Sequence, residues 1–503
     1  MMTTLPTLNR RTLLVGSAST LALALLGRSD TAFGAPSPLA TLDYTSPEAF
    51  AVAEQAYLDL GAEHNEAGLY AWGESYYLLG LLLMFEATGE GRFLDRFEER
   101  ARHVMDSTDE ARGVTDYSGR SGPVWRAGGN YTAGHGELLL EDGSPGIQVR
   151  WAGGTSVNAT ATVRRVDADR FDLTLSHPSS TVELTGLTLD PNASDYVVDA
   201  VGDAYAPGAR WTAVDHSADR GTDRSLTEGT VAFEPQFYAF PVHTGMVIYP
   251  LARYVRMVRT DPGIPGTRNG VAGQLLAFVM KALRHHEDDF HIDERGYGDF
   301  RWPREAPVPF DGTIQPLNQS HALGATFAEL TRVVDNTQYR RNVEAMLRSL
   351  RASLQVQDGA YVWPYWPVHS HIYNGYSRED DVSTYTPFYG AVRSWEDISH
   401  GAITLEFIQA THDAGLADLS QDRELFATTF MQNVINEPDS VWFRVNGEVE
   451  ALPAQAVQSA RWLMLADLEP EIHDQVLRVY EAEPLEPSQG SHALGIAYLN
   501  HSR

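Results

Sequence analysis

The sequence predicts a mainly α fold, an incomplete (α/α) toroid of helical hairpins interrupted by a β-rich lobe, and three observations predict it. The pentapeptide Ser-His-Ala-Leu-Gly occurs twice, at 320–324 and 491–495, with looser copies around His243 and His400. The four histidines are separated by steps of 78, 79 and 92 residues, and a unit that recurs at a near-fixed period marks a repeated architecture. Apolar runs of helical period come in pairs through the C-terminal half, which reads as a series of αα-hairpins. Residues 117–235 lose that period and alternate short β-branched segments with Gly, Asp, Asn and Pro turns.

Taken in order, residues 1–35 read as an export signal. Arg10 and Arg11 form a twin-arginine pair, an apolar stretch covers 13–26, and small residues cluster at 32–35. The expectation is a secreted or periplasmic chain with no membrane insertion once the signal is removed. No other stretch reaches the roughly 18–20 apolar residues of a spanning helix. The first toroid helices occupy 36–116: Ser46-Pro47-Glu48 is a helix start, 76–85 a dense apolar run closed by Thr88-Gly89, and 93–105 a second helix. The β-rich insertion, 117–235, offers strands near 136–140, 147–151, 157–166, 171–176 and 182–187. Residues 236–503 form the main toroid domain, with helices expected at 244–260, 272–285, 320–334, 339–355, 400–412, 423–435, 454–465, 470–480 and 491–499. Runs such as 245–252, apolar on every side, belong to inner helices.

Composition narrows the function. The chain has 503 residues, 43% of them hydrophobic, and a formal net charge of -29. That charge excludes nucleic acid as a partner, because its binding needs a basic face. Lys281 is the sole lysine, so a bound anion must be held by arginine, which meets carboxylates bidentately. The chain contains no cysteine, which excludes disulfides and thiolate metal sites.

The chemistry-bearing residues lie in aromatic-rich loops longer than helix connections require, and such loops carry function. Trp302, Trp363, Trp366 and Trp395 sit beside polar groups, and their flat faces suit pyranose rings. Asn318, three residues before His321 at a helix start, suggests β-elimination from a uronic acid. An amide or Arg neutralises the carboxylate beside C5, a neutral His or ionised Tyr removes the C5 proton, and a Tyr hydroxyl protonates the leaving O4. Asn318 or Ser320 as a helix cap, with His321 a satisfied wall histidine, is the structural alternative. Tyr385 and Tyr389 are candidate phenols, and Arg378 or Arg301 candidate carboxylate partners. Glu396 and Asp397 support a rival, hydrolytic reading, since hydrolases use two carboxylates. The alternative there is an acidic cap on the helix that opens at 398–400. His285, His286, His291, His369 and His371 have no recognised ligand spacing, so no metal or other cofactor is expected.

The paired helices with Trp-rich loops, the Asn318-Gln319-Ser320-His321 segment and the Glu396-Asp397-Ile398-Ser399-His400-Gly401 segment resemble the (α/α)-toroid polysaccharide lyases and uronate C5-epimerases. The resemblance covers roughly 47–115 and 236–500 in architecture. It implies that Asn318 neutralises the carboxylate, that His321 or His400 is the base with His243 on the same rim, and that Tyr385 or Tyr389 is the acid. The expected function is lysis of an acidic polysaccharide or oligosaccharide. A glycoside hydrolase using Glu396 or Asp397 and a non-catalytic glycan-binding envelope protein are the alternatives.

Overall fold

The computed structural model describes residues 43–61, 65–129, 131–151, 158–204, 211–220, 224–482 and 490–503. The expected export signal lies outside them, as does Val157 at the start of one expected strand.

The longer helices are α1 (Pro47–Leu58), α2 (Ser75–Thr88), α3 (Gly91–Asp106), α4 (Pro241–Thr260), α5 (Asn269–His285), α6 (Leu317–Thr331), α7 (Thr337–Ser353), α8 (Ile398–Asp413), α9 (Ser420–Thr429), α10 (Glu471–Ala482) and α11 (Gly490–His501). Local signals account for their ends. Ser46 caps α1 by accepting from the Ala49 amide, with Pro47 at the first helical position. Gly89, at φ 71°, closes α2 in the left-handed conformation that glycine adopts without strain. Asn336 caps α7.

The expectation of a mainly α toroid is overturned. Of the described residues 49% are helix and 18% strand, with several small antiparallel sheets, which is a mixed helix-and-strand class. Two sources of strand account for the difference. Among its described residues the lobe carries eight strands: β1 (Gly134–Leu139), β2 (Pro145–Trp151), β3 (Thr160–Arg165), β4 (Phe171–His177), β5 (Ser180–Leu187), β6 (Trp211–Asp215), β7 (Gly229–Ala232) and β8 (Glu234–Pro235). They form two four-stranded sheets, ordered β6-β2-β1-β8 and β5-β4-β3-β7, around their own core of Trp151, Trp211, Leu173 and Val163. Outside the lobe, strand pairs such as Phe290–Ile292 with Gly298–Phe300, and Gln355–Gln357 with Ala360–Val362, occupy segments that read as loops, apart from Gln355 at the end of the helix expected at 339–355. Two or three residues per strand are too few for an alternating pattern to register. The expected helix at 454–465 is a different case: after a short turn at Pro453–Ala456 it is 3-10 over Val457–Leu465.

A single large apolar core runs through the helical part. Residues Ser75–Met84 of α2 are all buried, as are Leu317, Asn318 and Ser320–Thr331 of α6. α4 packs on α2 and α6, α6 on α8, the 457–465 segment on α8 and α11, and α11 on α2. The sequence repeat is a packing device within these contacts. A Cβ on Gly245 would lie 2.6 Å from the backbone carbonyl carbon of Ala322 and 2.7 Å from the amide nitrogen of Leu323, so glycine is what lets α4 touch α6. A Cβ on Gly324 would lie 2.8 Å from the Phe407 ring of α8. Among the described residues, no helix is long and apolar enough to cross a membrane.

Candidate functional site

α8 begins where three backbone segments meet. The Glu396 amide donates to the Trp363 carbonyl at 2.9 Å, and the Val445 amide donates to the Glu396 carbonyl at 3.1 Å. The Ile398 amide donates to the Phe443 carbonyl at 2.9 Å. From the other side, Arg461 donates to the Ser399 carbonyl (3.1 Å) and the Trp462 indole to the Ile398 carbonyl (2.9 Å). The Glu396-Asp397 pair is therefore held from both flanks.

Asp397 is the N-cap of α8. Its Oδ1 accepts from the amides of Ser399 and His400, each at 3.0 Å, and from the Ser399 hydroxyl at 2.7 Å. Its Oδ2 lies 2.6 Å from His400 Nδ1 and 3.9 Å from Arg444 Nη1. Burial opposes its charge, but His400 and these hydrogen bonds outweigh burial and bring Asp397 down to about 2. For His400 burial again works against the charged form, and the Asp397 carboxylate prevails, so its pKa is raised. Glu396 behaves oppositely. Burial, and then the charge of Asp397, push it up to about 8, so it is protonated at neutral pH. Asn318, in the first turn of α6, donates its amide to Glu396 Oε2 at 3.1 Å.

Two adjacent carboxylates thus hold opposite protonation states, and a histidine is paired with the ionised one. Pairs of titratable groups driven apart in this way are the signature of acid–base assignments. Asn318, Glu396 and Asp397 are 0% exposed and His400 is 7% exposed, so all four are buried and His400 is the least so. Tyr365 stands edge-on to it with ring centroids 5.4 Å apart. Burial, then the charges of Glu396 and Asp397, hold the Tyr365 phenol protonated, while the amides of Gln319 and Asn318 pull the other way. Gln319 is partly exposed beside them.

The donor atoms of Glu396, Asp397 and His400 lie within 4.8 Å of one another, close enough to converge on a metal ion. Both Asp397 oxygens are already engaged, however, and Glu396 accepts from Asn318 and from the Asp397 amide. His400 Nδ1 and Asp397 Oδ2 thus stand as a buried hydrogen-bonded pair.

The remaining sequence candidates lie elsewhere. His321 is buried inside the bundle, with Nδ1 3.0 Å from the Thr404 hydroxyl and its ring stacked on Phe407 at 4.7 Å. His243 lies between Tyr131, Phe240 and Trp72, with Nδ1 3.2 Å from the Asn65 amide. Burial lowers both to about 3, which makes them neutral wall histidines. Tyr385 is buried against the lobe: its hydroxyl donates to Gln236 Oε1 at 3.1 Å and its ring lies under the Arg150 guanidinium. Tyr389 pairs by backbone with Tyr376 and meets Phe310 edge-on. Arg378 reaches the lobe at the Gly202 carbonyl and Asp203, rather than Glu379, Asp380 or Asp381. Trp363 is fully buried against Trp462 and Phe426. Trp366 joins Tyr365 edge-on to Trp302. Trp395 is partly exposed and its carbonyl accepts from Arg444 at 2.8 Å. Arg301 lines a separate pocket with Trp302.

Sequence reading missed Tyr365 and Gln319 as site residues. Gln319 stood inside the Asn318–His321 segment and Tyr365 directly before Trp366, and those adjacencies were the available signal. The chain matches no protein-family model and no curated protein.

Proposed function

We propose that this chain is an exported polysaccharide lyase that cleaves a uronic-acid-containing glycan by β-elimination at the Gln319–Tyr365–His400 face. The observation that carries the reading is the buried, ionised Asp397 bound to His400 Nδ1, in contact with a protonated Glu396. With Nδ1–H donated to Asp397, His400 presents Nε2 as a base. It takes the C5 proton of the uronate, the C5–H electrons form the C4–C5 double bond, and the C4–O4 bond breaks. Tyr365, whose phenol stays protonated at neutral pH, gives its proton to the strongly basic departing O4. Water restores both groups. In this reading the partly exposed Arg444, 3.9 Å from Asp397, pairs with the uronate carboxylate, and the partly exposed Gln319 donates its amide to it. Asn318 and Glu396 act from behind, as positioning residues for His400.

The hydrolytic alternative is less well supported. Hydrolytic carboxylates flank the scissile bond, at about 5–5.5 Å in retaining and about 6.5–9.5 Å in inverting enzymes. Glu396 and Asp397 approach within 4.8 Å, and Asp397 is locked as a helix cap. The test is incubation with a panel of uronans, following both the ultraviolet absorbance of unsaturated uronate and new reducing ends. Elimination raises both signals, and His400→Ala and Tyr365→Phe abolish them. Reducing ends without absorbance refute elimination.

A further inference from the structure

We infer that Arg461 is a positioning residue for His400: it fixes the peptide that carries the histidine, and with it the direction in which the ring offers its free nitrogen. The inference rests on the reading of His400 as the base of the proposed elimination.

Two successive peptide planes at the start of α8 are gripped at both ends. In the Ser399–His400 plane the N–H of His400 donates to Asp397 Oδ1 at 3.0 Å, and the Ser399 carbonyl accepts from Arg461 Nη1 at 3.1 Å. In the Ile398–Ser399 plane the N–H of Ser399 donates to the same Oδ1 at 3.0 Å, and the Ile398 carbonyl accepts from the Trp462 indole at 2.9 Å. Asp397 therefore holds one side of the first turn, and the consecutive residues Arg461 and Trp462 hold the other. The ring so oriented has Nδ1 2.6 Å from Asp397 Oδ2, a contact that rotation of the 399–400 peptide would lengthen. A reacting side chain keeps its geometry when the groups behind it are themselves locked by packing and hydrogen bonds.

Arg461 meets that condition. Its side chain is 1% exposed, and Nε and Nη2 donate to Glu406 Oε1 at 3.3 and 2.9 Å. Nη1 also reaches the Tyr76 hydroxyl at 3.4 Å, and the guanidinium lies over the Tyr76 ring, 4.9 Å from its centroid. One planar fork thus ties α2 and two turns of α8 to the 457–465 segment. Trp462 is fully buried beside it, against Trp363 and Phe430. A buried ion pair adds little to stability by itself, because desolvation of both charges offsets their attraction. What the pair does supply is a fixed place for the Ser399 carbonyl.

The experiment removes the pair as a unit. Arg461→Met combined with Glu406→Gln leaves no buried charge without its partner, so the unfolding midpoint stays near that of the unmodified chain. Nitrogen-15 labelling of the histidines shows the His400 Nδ1–H, assigned by its loss in His400→Gln, as a proton resonance carried far downfield by its bond to the Asp397 carboxylate. In the double variant this resonance moves upfield or broadens away, while those of His243 and His286 stay in place. On a uronan that the unmodified chain cleaves, kcat falls by about 10- to 100-fold with KM unchanged. Arg461→Lys keeps the buried charge but cannot span Glu406 and the Ser399 carbonyl with one planar group; it shows the same changes to a smaller degree, and carries the test should the double variant not fold. An unmoved His400 resonance, an equal displacement at His243, or an unchanged kcat in a folded variant overturns the inference. Because the resonance needs no substrate, it decides the role of Arg461 even if uronans prove not to be cleaved. Cleavage at the unmodified rate by the folded double variant removes that role and leaves the lyase.

Discussion

Replacing Asp397 by asparagine isolates the charge on which His400 depends. The carboxylate sits 2.6 Å from His400 Nδ1, and its pKa of about 2 lies below the ordinary 3.8, a difference worth about 2.5 kcal/mol in favour of the ionised form. Asparagine caps helices as well as aspartate does, so the amides of Ser399 and His400 keep a partner and α8 loses little. The side-chain NH₂ of the introduced asparagine, however, donates to His400 Nδ1 and drives the ring proton to Nε2, the position that must accept the C5 proton. Where a carboxylate fixes the tautomer of a catalytic histidine, its amide isostere lowers turnover by about 10⁴-fold. The expected outcome of Asp397→Asn is a fall in kcat on that scale with KM little changed and the fold intact by circular dichroism. Burial, which remains, then lowers the pKa of His400, so the acid limb of the residual activity moves to lower pH. A kcat within 10-fold of the unmodified chain would refute the His400–Asp397 assignment.

Other expectations follow from the same geometry. The rate of the unmodified chain rises with pH as His400, whose pKa is raised above 6.5, loses its proton, and falls as Glu396 ionises near 8; a pH–rate profile reads both limbs. Glu396→Gln mimics the protonated acid, so activity survives within about 10-fold and the alkaline limb disappears; survival of that limb would assign it to another group. Stability follows opposite signs at the two carboxylates. The contribution of Asp397 is present above 3.8 and is lost as pH falls through about 2, while the raised pKa of Glu396 makes stability decline between 4.5 and about 8, a slope that Glu396→Gln removes in denaturant titrations. Gly245→Ala puts a methyl group against the backbone of α6, at 2.6 Å, and is expected to cost about 1–3 kcal/mol, read as a lower unfolding midpoint with the pH profile unchanged.

Much of the local structure was legible in the sequence, and its limits have physical causes. Helix caps at Ser46 and Asp397 and the stop at Gly89 follow from side-chain and backbone chemistry that acts within three or four residues. The fold class was misjudged because strands of two or three residues, such as Phe290–Ile292, leave no period to read. The Ser-His-Ala-Leu-Gly repeat was legible as a repeat but not as to its purpose. Its glycine serves helix contact and its histidines pack on Phe407 and Tyr480, a role that needs the neighbouring helix to be seen. Glu396, Asp397 and His400 were chosen from residue type, their position at a helix start and the histidine repeat. Their opposite protonation depends on burial and on the 2.6 Å contact, and neither is written in spacing. Tyr385 and Arg378 were placed near the site by loop position, whereas Arg150 and Gly202 of the lobe claim them.

The most direct test of the account uses a uronan that the chain cleaves, deuterated at C5, with the reaction followed in water enriched in oxygen-18. If His400 removes the C5 proton in the step that breaks the chain, the deuterated glycan reacts more slowly, the new reducing end carries no oxygen from water, and His400→Ala is inactive on both forms. Equal rates for the two glycans, together with oxygen-18 in the new reducing end, would contradict it.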